Sequence, residues 1–588
     1  MQLSYIWILD YKNDERKLGS FISSQSKYRE QWMIMKRERE EIRPEGPNNC
    51  IPKFCFGFSV PEIDKIMEDR LPTNQKSRLK WPQSQAKTLL GIDNALEADL
   101  TGRLPVDILS SITSLISLRE AATTSILSKR WRYIWRTSSN LDLDAKNMLG
   151  HFLYLDHFKR QPTQWKQKQK GRFVRWANHI LELYVGKNVD SFRVEYPLGS
   201  DHGCDVDRWI QFAIDMQVQK LDINLLDDHL SDLYHDLYKF PYWLFAQAGK
   251  RPKIKHLSLN FCSLSIPENY NGLNSLSSLS LKKISLNQEN VYNILTSCPS
   301  LEWFSISECR CPFRLKLSSG CRSLRLRHLR IFRCEPLERV EIHDAVSVAS
   351  IEYDAKMFGQ VLLKNSAQPV RLCVTLQSDR RTLQSDRRTL QPDPRTQIAY
   401  VLGTLAKDFP LVETLLVSTP YAQVDLISKH LTTFTRLKQL KLLGVRFRKI
   451  LLDLTSAFLE AAPSLVELEM DLHLPCSEDD RIKRQKIIEG ADYREHKKIP
   501  LKEYCQHQRL KKVELRGFSA CPIEFDLAVL LLKNAILLEK MRIVLEITPY
   551  LGDGECWVMG LSKTKIEREK ILKILGPEVP STVDLVLV

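Results

Sequence analysis

From residue 185 onward one hydrophobic template keeps returning: an apolar residue, two others, an apolar residue, one other, an apolar residue. It stands at Val189-Phe192-Val194, Val218-Leu221-Ile223, Ile254-Leu257-Leu259, Leu276-Leu279-Leu281, Leu301-Phe304-Ile306 and Leu326-Leu329-Ile331. It continues at Leu337-Val340-Ile342, Val348-Ile351-Tyr353, Val412-Leu415-Val417, Leu437-Leu440-Leu442, Leu465-Leu468-Met470, Leu510-Val513-Leu515 and Leu538-Met541-Ile543. The last two apolar positions lie two apart, the period of a strand that buries one face. Many successive starts are 22 to 29 residues apart, so the chain lays down one structural unit per repeat.

The residues between these strands follow a helical period. Val291, Ile294 and Leu295 precede CPSLEWFSISEC, Leu454, Ala457 and Phe458 precede APSLVELEM, and Ile398, Val401, Leu402 and Leu405 precede FPLVETLLV. Each set predicts a short amphipathic helix that enters the next strand through a proline turn. One helix and one strand cannot bury their apolar faces alone, whereas stacked neighbours share a continuous core. The prediction is an α/β leucine-rich-repeat solenoid over about 165–480, irregular, with strands on its concave side. Starts only 11 apart between Leu326 and Val348, and a gap of 64 before Val412, break the period. The gap contains TLQSDRRTLQSDRRTLQPDPR, a polar seven-residue tandem repeat from Thr375 to Arg395, which predicts an exposed loop.

Upstream, residues 101–145 have another pattern. In LPVDILSSITSLISLREAATTSILSKRWRYIWRTSSNLDLD, Leu104 to Asp144, Pro105 suits a first helical turn, and Ile108, Leu109, Ile112 and Leu115 recur on one helical face. Ser117 with Glu120 forms a capping box for a second helix, and Ser128 precedes Trp131, Ile134 and Trp135 of a third. Such a small unit cannot bury all of these side chains by itself, so it needs a neighbour or a partner. The order LP-x-D-I-L, A-A, S-I-L-S-K-R-W-R-x-x-W, L-D-L-D resembles the F-box of plant proteins, with Val106-Asp107 where that family often has two acidic residues. The resemblance implies a three-helix unit that docks on a Skp-type adaptor and, through it, a cullin. The implied contacts are Leu104, Pro105, Ile108, Leu109, Ile112, Leu127, Ser128, Trp131 and Trp135.

Residues 505–588 carry H-x-x-L-K-K-V-E-x-x-G-F followed by L-A-x-x-L-L-x-N-A-x-x-L-E-x-M, which resembles the FBD segment of plant F-box/leucine-rich-repeat proteins. It is expected to serve as the C-terminal cap of the solenoid. A polar, charged insert from Ser477 to Pro500 precedes it, and residues 1–100 match no motif.

Charge and composition refine the reading. The formal charge is +15, from 86 Lys and Arg against 71 Asp and Glu, which raises nucleic acid as a partner. The two signs are interspersed, as in Lys36–Glu41, and the most one-sided stretch is Lys166–Arg175, so a solvated basic surface is favoured over a nucleic-acid face. The alternative of a basic repeat scaffold or nucleic-acid binder without ligase association stays open. Fourteen Cys contain no C-x-x-C pair, which predicts reduced core thiols and no metal site. No apolar run approaches the length of a membrane span, and the start MQLSYIWILDYKNDER has no basic leader, so nucleus and/or cytoplasm is the expected location. Phosphate-loop, dinucleotide, zinc-protease and nucleophile-elbow motifs are absent. The expected function is therefore non-catalytic: a substrate-recognition subunit of a Skp–cullin–F-box ubiquitin ligase, without cofactor, metal or catalytic residue. Polar positions between the strand's apolar residues should face the target protein, and the candidates are Glu302, Trp303, Ser305, Arg325, Arg327, His328 and Arg330.

Overall fold

The computed structural model describes residues 108–109, 113, 116–123, 131–149, 163–225, 237–246, 252–320, 323–354, 361–375, 401–403, 405–418, 432–445, 451–472, 506–545, 550–552, 555–556 and 565–588. Residues 1–100, residues 376–395 of the tandem repeat, the 477–500 insert, and Leu104, Pro105, Ile112, Leu127 and Ser128 lie outside them; Thr375, at the start of the predicted loop, is instead buried at the end of a strand. The chain forms two compact units, one ending at Ser138 and the other spanning Ser139–Val588.

In the first unit a helix covers Leu118–Thr123, and another, Trp131–Ile134, tightens into a 3-10 turn at Trp135–Thr137. The predicted capping box is formed: Ser117 N–H donates to Glu120 Oε2 at 2.9 Å and Glu120 N–H donates to Ser117 Oγ at 3.3 Å. The LDLD end of the motif departs from the helical expectation. Alternating Leu141 and Leu143 make it a strand of the second unit, both side chains fully buried.

The second unit is built on a parallel sheet of fifteen strands. In chain order the strands are β1 (Asn140–Asp144), β2 (Ser191–Glu195), β3 (Lys220–Asn224), β4 (His256–Asn260), β5 (Ser278–Lys282), β6 (Trp303–Ser307), β7 (Arg314–Leu317), β8 (His328–Phe332), β9 (Arg339–His343) and β10 (Ser350–Asp354). There follow β11 (Val361–Lys364), β12 (Arg371–Thr375), β13 (Thr414–Ser418), β14 (Gln439–Val445), β15 (Glu467–Leu472), β16 (Lys512–Arg516), β17 (Lys540–Val544), β18 (Tyr550–Gly552), β19 (Glu555–Cys556) and β20 (Asp584–Leu587). The large sheet runs β1 to β6, β8, β10, β12 to β17, then β20; β7, β9 and β11 make a second parallel sheet, and β18 pairs with β19.

Register follows the hydrophobic template. The second residues of neighbouring strands align, so Phe192, Leu221, Leu257, Leu279 and Phe304 form one buried row, and Val194, Ile223, Leu259, Leu281 and Ile306 form the next. Each such side chain contributes about 1.5–3 kcal/mol by leaving water. Amphipathic helices supply the other side of this core. Val291, Ile294 and Leu295 are buried in the helix Gln288–Ser297, and Leu454, Ala457 and Phe458 in Leu451–Ala461. Val401, Leu402 and Leu405 are buried ahead of β13. The one-sided basic stretch lies on the helix Thr163–Leu183, whose Phe173, Val174, Ala177 and Ile180 are buried.

The close spacing near Leu326 has a physical explanation. Leu337-Val340-Ile342 is not a rung of the large sheet but β9, in the second sheet. Between β6 and β12 a strand takes the return path of each repeat, so templates there fall alternately on the two sheets. The 64-residue gap holds β12, paired with β10 and β13. The segment expected as a C-terminal cap supplies β16, β17 and β20, so the sheet extends beyond both ends of the 165–480 span.

Most strands of the regular region leave by one turn. The residue after β4, β5, β6, β8, β9 and β11 has positive φ: Phe261, Lys283, Glu308, Arg333, Asp344 and Asn365. After β16, and at the corresponding position of β14, glycine takes the place, Gly517 and Gly444, where no Cβ opposes a left-handed backbone. The ladder continues through this turn, with Lys283 N–H donating to Ser307 O at 3.0 Å and Glu308 N–H to Phe332 O at 2.7 Å. One residue further on, Cys262, Cys309 and Cys334 are buried. The Cys309 thiol meets Leu281 O at 3.4 Å, and that of Cys334 meets Ile306 O at 3.6 Å. Burial pushes the Cys262 thiol up to about 12, so it stays protonated.

Candidate protein-binding surfaces

The first unit builds a small core from Leu109, Trp131 and Ile134, which form one buried cluster. Trp135 is also buried, and the Arg136 guanidinium lies 5.5 Å from its ring centroid and 5.2 Å from that of Tyr133. The predicted adaptor contacts thus divide. Leu109, Trp131 and Trp135 point inward and hold the unit together, while Ile108 is 47% exposed. Tyr133, 54% exposed, is an outward aromatic that sequence spacing did not single out, because it falls between the periodic Trp131 and Ile134.

In the large sheet the first, third and fifth residues of each strand face away from the apolar rows and form an open face. At β1 and β2, Arg193 forms an ion pair with Glu195 and lies 3.5 Å from Asp222, with Asp142 and Asp144 also in its field. Burial raises the Asp222 carboxyl above its usual range, with Arg193 opposing, and burial likewise raises Asp144. An amide ladder begins beside them: Asn260 Nδ2 donates to Asn224 Oδ1 at 2.8 Å, and Asn224 Nδ2 to Glu195 Oε1 at 3.2 Å.

The predicted target-facing residues are gathered on β6 and β8 and the turns before them. Glu302 and Arg327 are exposed and pair at 3.8 Å, and Arg325 is exposed. Trp303 and His328 are half-buried neighbours with ring centroids 5.0 Å apart. Burial, then Arg371 and Arg327, holds the His328 imidazole below its usual range. Ser305 and Arg330 correct the expectation of exposure, being 0% and 6% exposed. Arg330 lies flat among its neighbours: Nε donates to Glu352 Oε1 at 3.0 Å, Nη1 to Ser307 Oγ at 3.3 Å, and the guanidinium sits 5.0 Å from the Phe332 ring centroid. It thereby spans neighbouring rungs and ties them together.

Along the whole open face carboxylates are about as frequent as basic groups. At β14–β17, Lys441, Arg516 and Arg542 are answered by Glu469 and Glu514. Asp471 lies in the same region, where burial lifts its carboxyl to about 6 against Arg516. A carboxyl raised in the folded state and ordinary in the unfolded one binds more protons when folded, so stability falls as pH rises from about 4 to about 6. Asp471→Asn should therefore remove this slope and raise the unfolding midpoint at neutral pH, with little change below pH about 4; denaturant titrations across pH test this, and an unchanged slope refutes it.

Among the described residues no helix is long and apolar enough to cross a membrane, and no group of His, Cys, Asp or Glu is placed to hold a metal ion.

The F-box domain family model matches residues 102–143, and the family model described as At1g61320/AtMIF1, LRR domain, matches residues 180–588. The putative F-box/LRR-repeat protein At5g02700 of Arabidopsis thaliana is 30% identical over 205 residues, 35% of this chain and 38% of its own length. F-box/LRR-repeat protein At3g03360 of the same plant is 29% identical over 256 residues, 42% of this chain and 46% of its own. F-box/FBD/LRR-repeat protein At1g13570, also of Arabidopsis thaliana, is 26% identical over 209 residues, 36% of this chain and 44% of its own. The match thus spans less than half the length of each of these relatives. An F-box match beside a repeat-domain match over more than two thirds of the sequence shows that this chain belongs to the plant F-box/leucine-rich-repeat family.

Proposed function

We propose that this protein is the substrate-recognition subunit of a Skp–cullin–F-box ubiquitin ligase and contributes no catalysis of its own. The observation that carries this reading is the F-box match over 102–143, which includes the outward Ile108, on the same chain as a sheet with a long polar open face. The helical unit takes a Skp-type adaptor, and through it a cullin, while the open face takes a protein target. Tethering raises the effective concentration of target lysines near the ubiquitin-carrying enzyme, so the gain is in proximity, and the covalent chemistry belongs to other subunits. Such a receptor works in the nucleus and/or the cytoplasm. The net charge of +15 is the argument for a nucleic-acid partner instead. The near balance of charge on the open face favours protein, because phosphates would meet carboxylates there.

Capture of a purified Skp-type adaptor tests the reading. The full chain should retain the adaptor, and Leu104→Ala with Pro105→Ala should reduce capture at least about tenfold while the unfolding curve of the repeat unit is unchanged. Failure of the intact chain to bind any Skp-type adaptor overturns the function, and undiminished capture by the double variant overturns that part of the docking face.

A further inference from the structure

The open face carries its charge unevenly. Across β1 to β3 the carboxylates Asp142, Asp144, Glu195 and Asp222 surround the one guanidinium of Arg193, with Lys220 beside Asp222. At the entry edge of β8 and β12 the sign reverses, since Arg327 and Arg371 both act on His328 and Glu302 is the carboxylate facing them. Between these regions the third residue of three successive strands is serine, Ser258, Ser280 and Ser305, so no long side chain rises from the middle of β4 to β6. In this trough Ser258 and Ser280 are half-buried and line the open face, while Ser305 and Asn260 are covered by their neighbours.

We propose that this trough receives an extended segment of the target protein crossing the strands, with a basic side chain over the β1–β3 carboxylates and an acidic one over Arg327, His328 and Arg371. The inference rests on the substrate-receptor reading and names its target class. Geometry fixes the spacing. From β2 to β8 the sheet takes five steps, about 24 Å at about 4.8 Å per step, and an extended chain covers that distance in about seven residues. The serines let the guest backbone approach the sheet, and the paired rings of Trp303 and His328 wall the acidic end.

Selection from a random peptide library on the full chain bound to its adaptor tests the proposal. Enriched peptides should carry Lys or Arg and Asp or Glu about seven residues apart. Asp142→Asn with Glu195→Gln, which keeps side-chain shape, should weaken them at least about tenfold. Asp142→Lys with Glu195→Lys should select an acidic residue at the formerly basic position. Absence of paired charges among the selected peptides, equal binding to the neutralised variant, or preference for mixed-sequence RNA overturns the proposal. Adaptor retention on the same sample separates the two claims: retained adaptor without the charge pattern refutes this inference alone, whereas lost adaptor refutes the receptor reading.

Discussion

Trp209→Ala is expected to lower the unfolding free energy of the first rungs of the repeat unit by about 3–5 kcal/mol. The indole is 1% exposed on the helix Gly203–Asp215 and meets the edge of Phe173, 6.0 Å between centroids. Phe173 in turn stacks on Tyr196 at 4.0 Å, so three segments share one aromatic cluster. Trp209 Nε1 donates to Asn178 Oδ1 at 2.7 Å, tying this helix to Thr163–Leu183. Alanine would leave both a large cavity and an amide oxygen robbed of its donor, and the two costs add. Trp209→Phe keeps most of the ring volume and should lose only about 1–3 kcal/mol, chiefly through the hydrogen bond. Because each rung contacts mainly its neighbours, hydrogen exchange should rise most around β2 and β3 and least around β16 and β17. Uniform loss of protection, or a loss below about 1 kcal/mol for alanine, would show that this cluster does not anchor the first rungs.

How far this architecture was legible in the sequence depends on one position of the template. Of the thirteen templates, twelve fall on the large sheet and one on β9. The strands of the large sheet that the template misses, β1, β12 and β20, have Ser138, Pro369 and Thr582 where the first apolar residue should stand. Their second and third apolar positions are intact, as in Leu141 with Leu143 and Leu372 with Val374, and those two places make the strand. The first position only covers the turn that enters it. Ser138 is nonetheless 5% exposed, so burial there tolerates a small hydroxyl. For β1 a second effect operates, because LDLD closes the helical motif in sequence yet pairs with β2 through the whole of its length.

The candidate binding surfaces were less legible than the fold, for a different reason. A strand pattern says which face a side chain points to, but its exposure depends on the strands beside it, more than twenty residues away in sequence. Arg330 reads as outward on alternation alone, yet Glu352 and Ser307 draw it down. The acidic region at β1 to β3 is hidden in the sequence because Asp142 and Asp144 lie within the helical motif, and only the parallel register sets Asp142 against Arg193 and Asp144 against Glu195. In the helical unit, spacing alone does not separate core residues from outward ones, since the adjacent Leu109 and Ile108 are 0% and 47% exposed.

That last pair yields the second large effect. Ile108→Asp should weaken adaptor binding at least about thirtyfold, the scale of one interface anchor worth about 2 kcal/mol, because a carboxylate at a docking position must be desolvated without a partner. Its neighbours in the core do not need to move, so the near-ultraviolet signal of the buried Trp131 and Trp135 should persist. Trp131→Ala should abolish binding by another route. Trp131 is 2% exposed and forms one cluster with Leu109 and Ile134, so its removal takes about 3–5 kcal/mol from a unit too small to lose it. The two variants therefore look alike in an adaptor pull-down and differ in protease sensitivity: Ile108→Asp stays resistant, and Trp131→Ala is cleaved within the helical unit. Saturating adaptor should partly restore Trp131→Ala, since binding draws the folded form from its equilibrium, but not Ile108→Asp, whose deficit lies in the contact itself. If Ile108→Asp binds as the unaltered chain does, the outward face of this helix is not the docking face; if Trp131→Ala is resistant and still fails to bind, the buried tryptophan contributes to the adaptor contact directly.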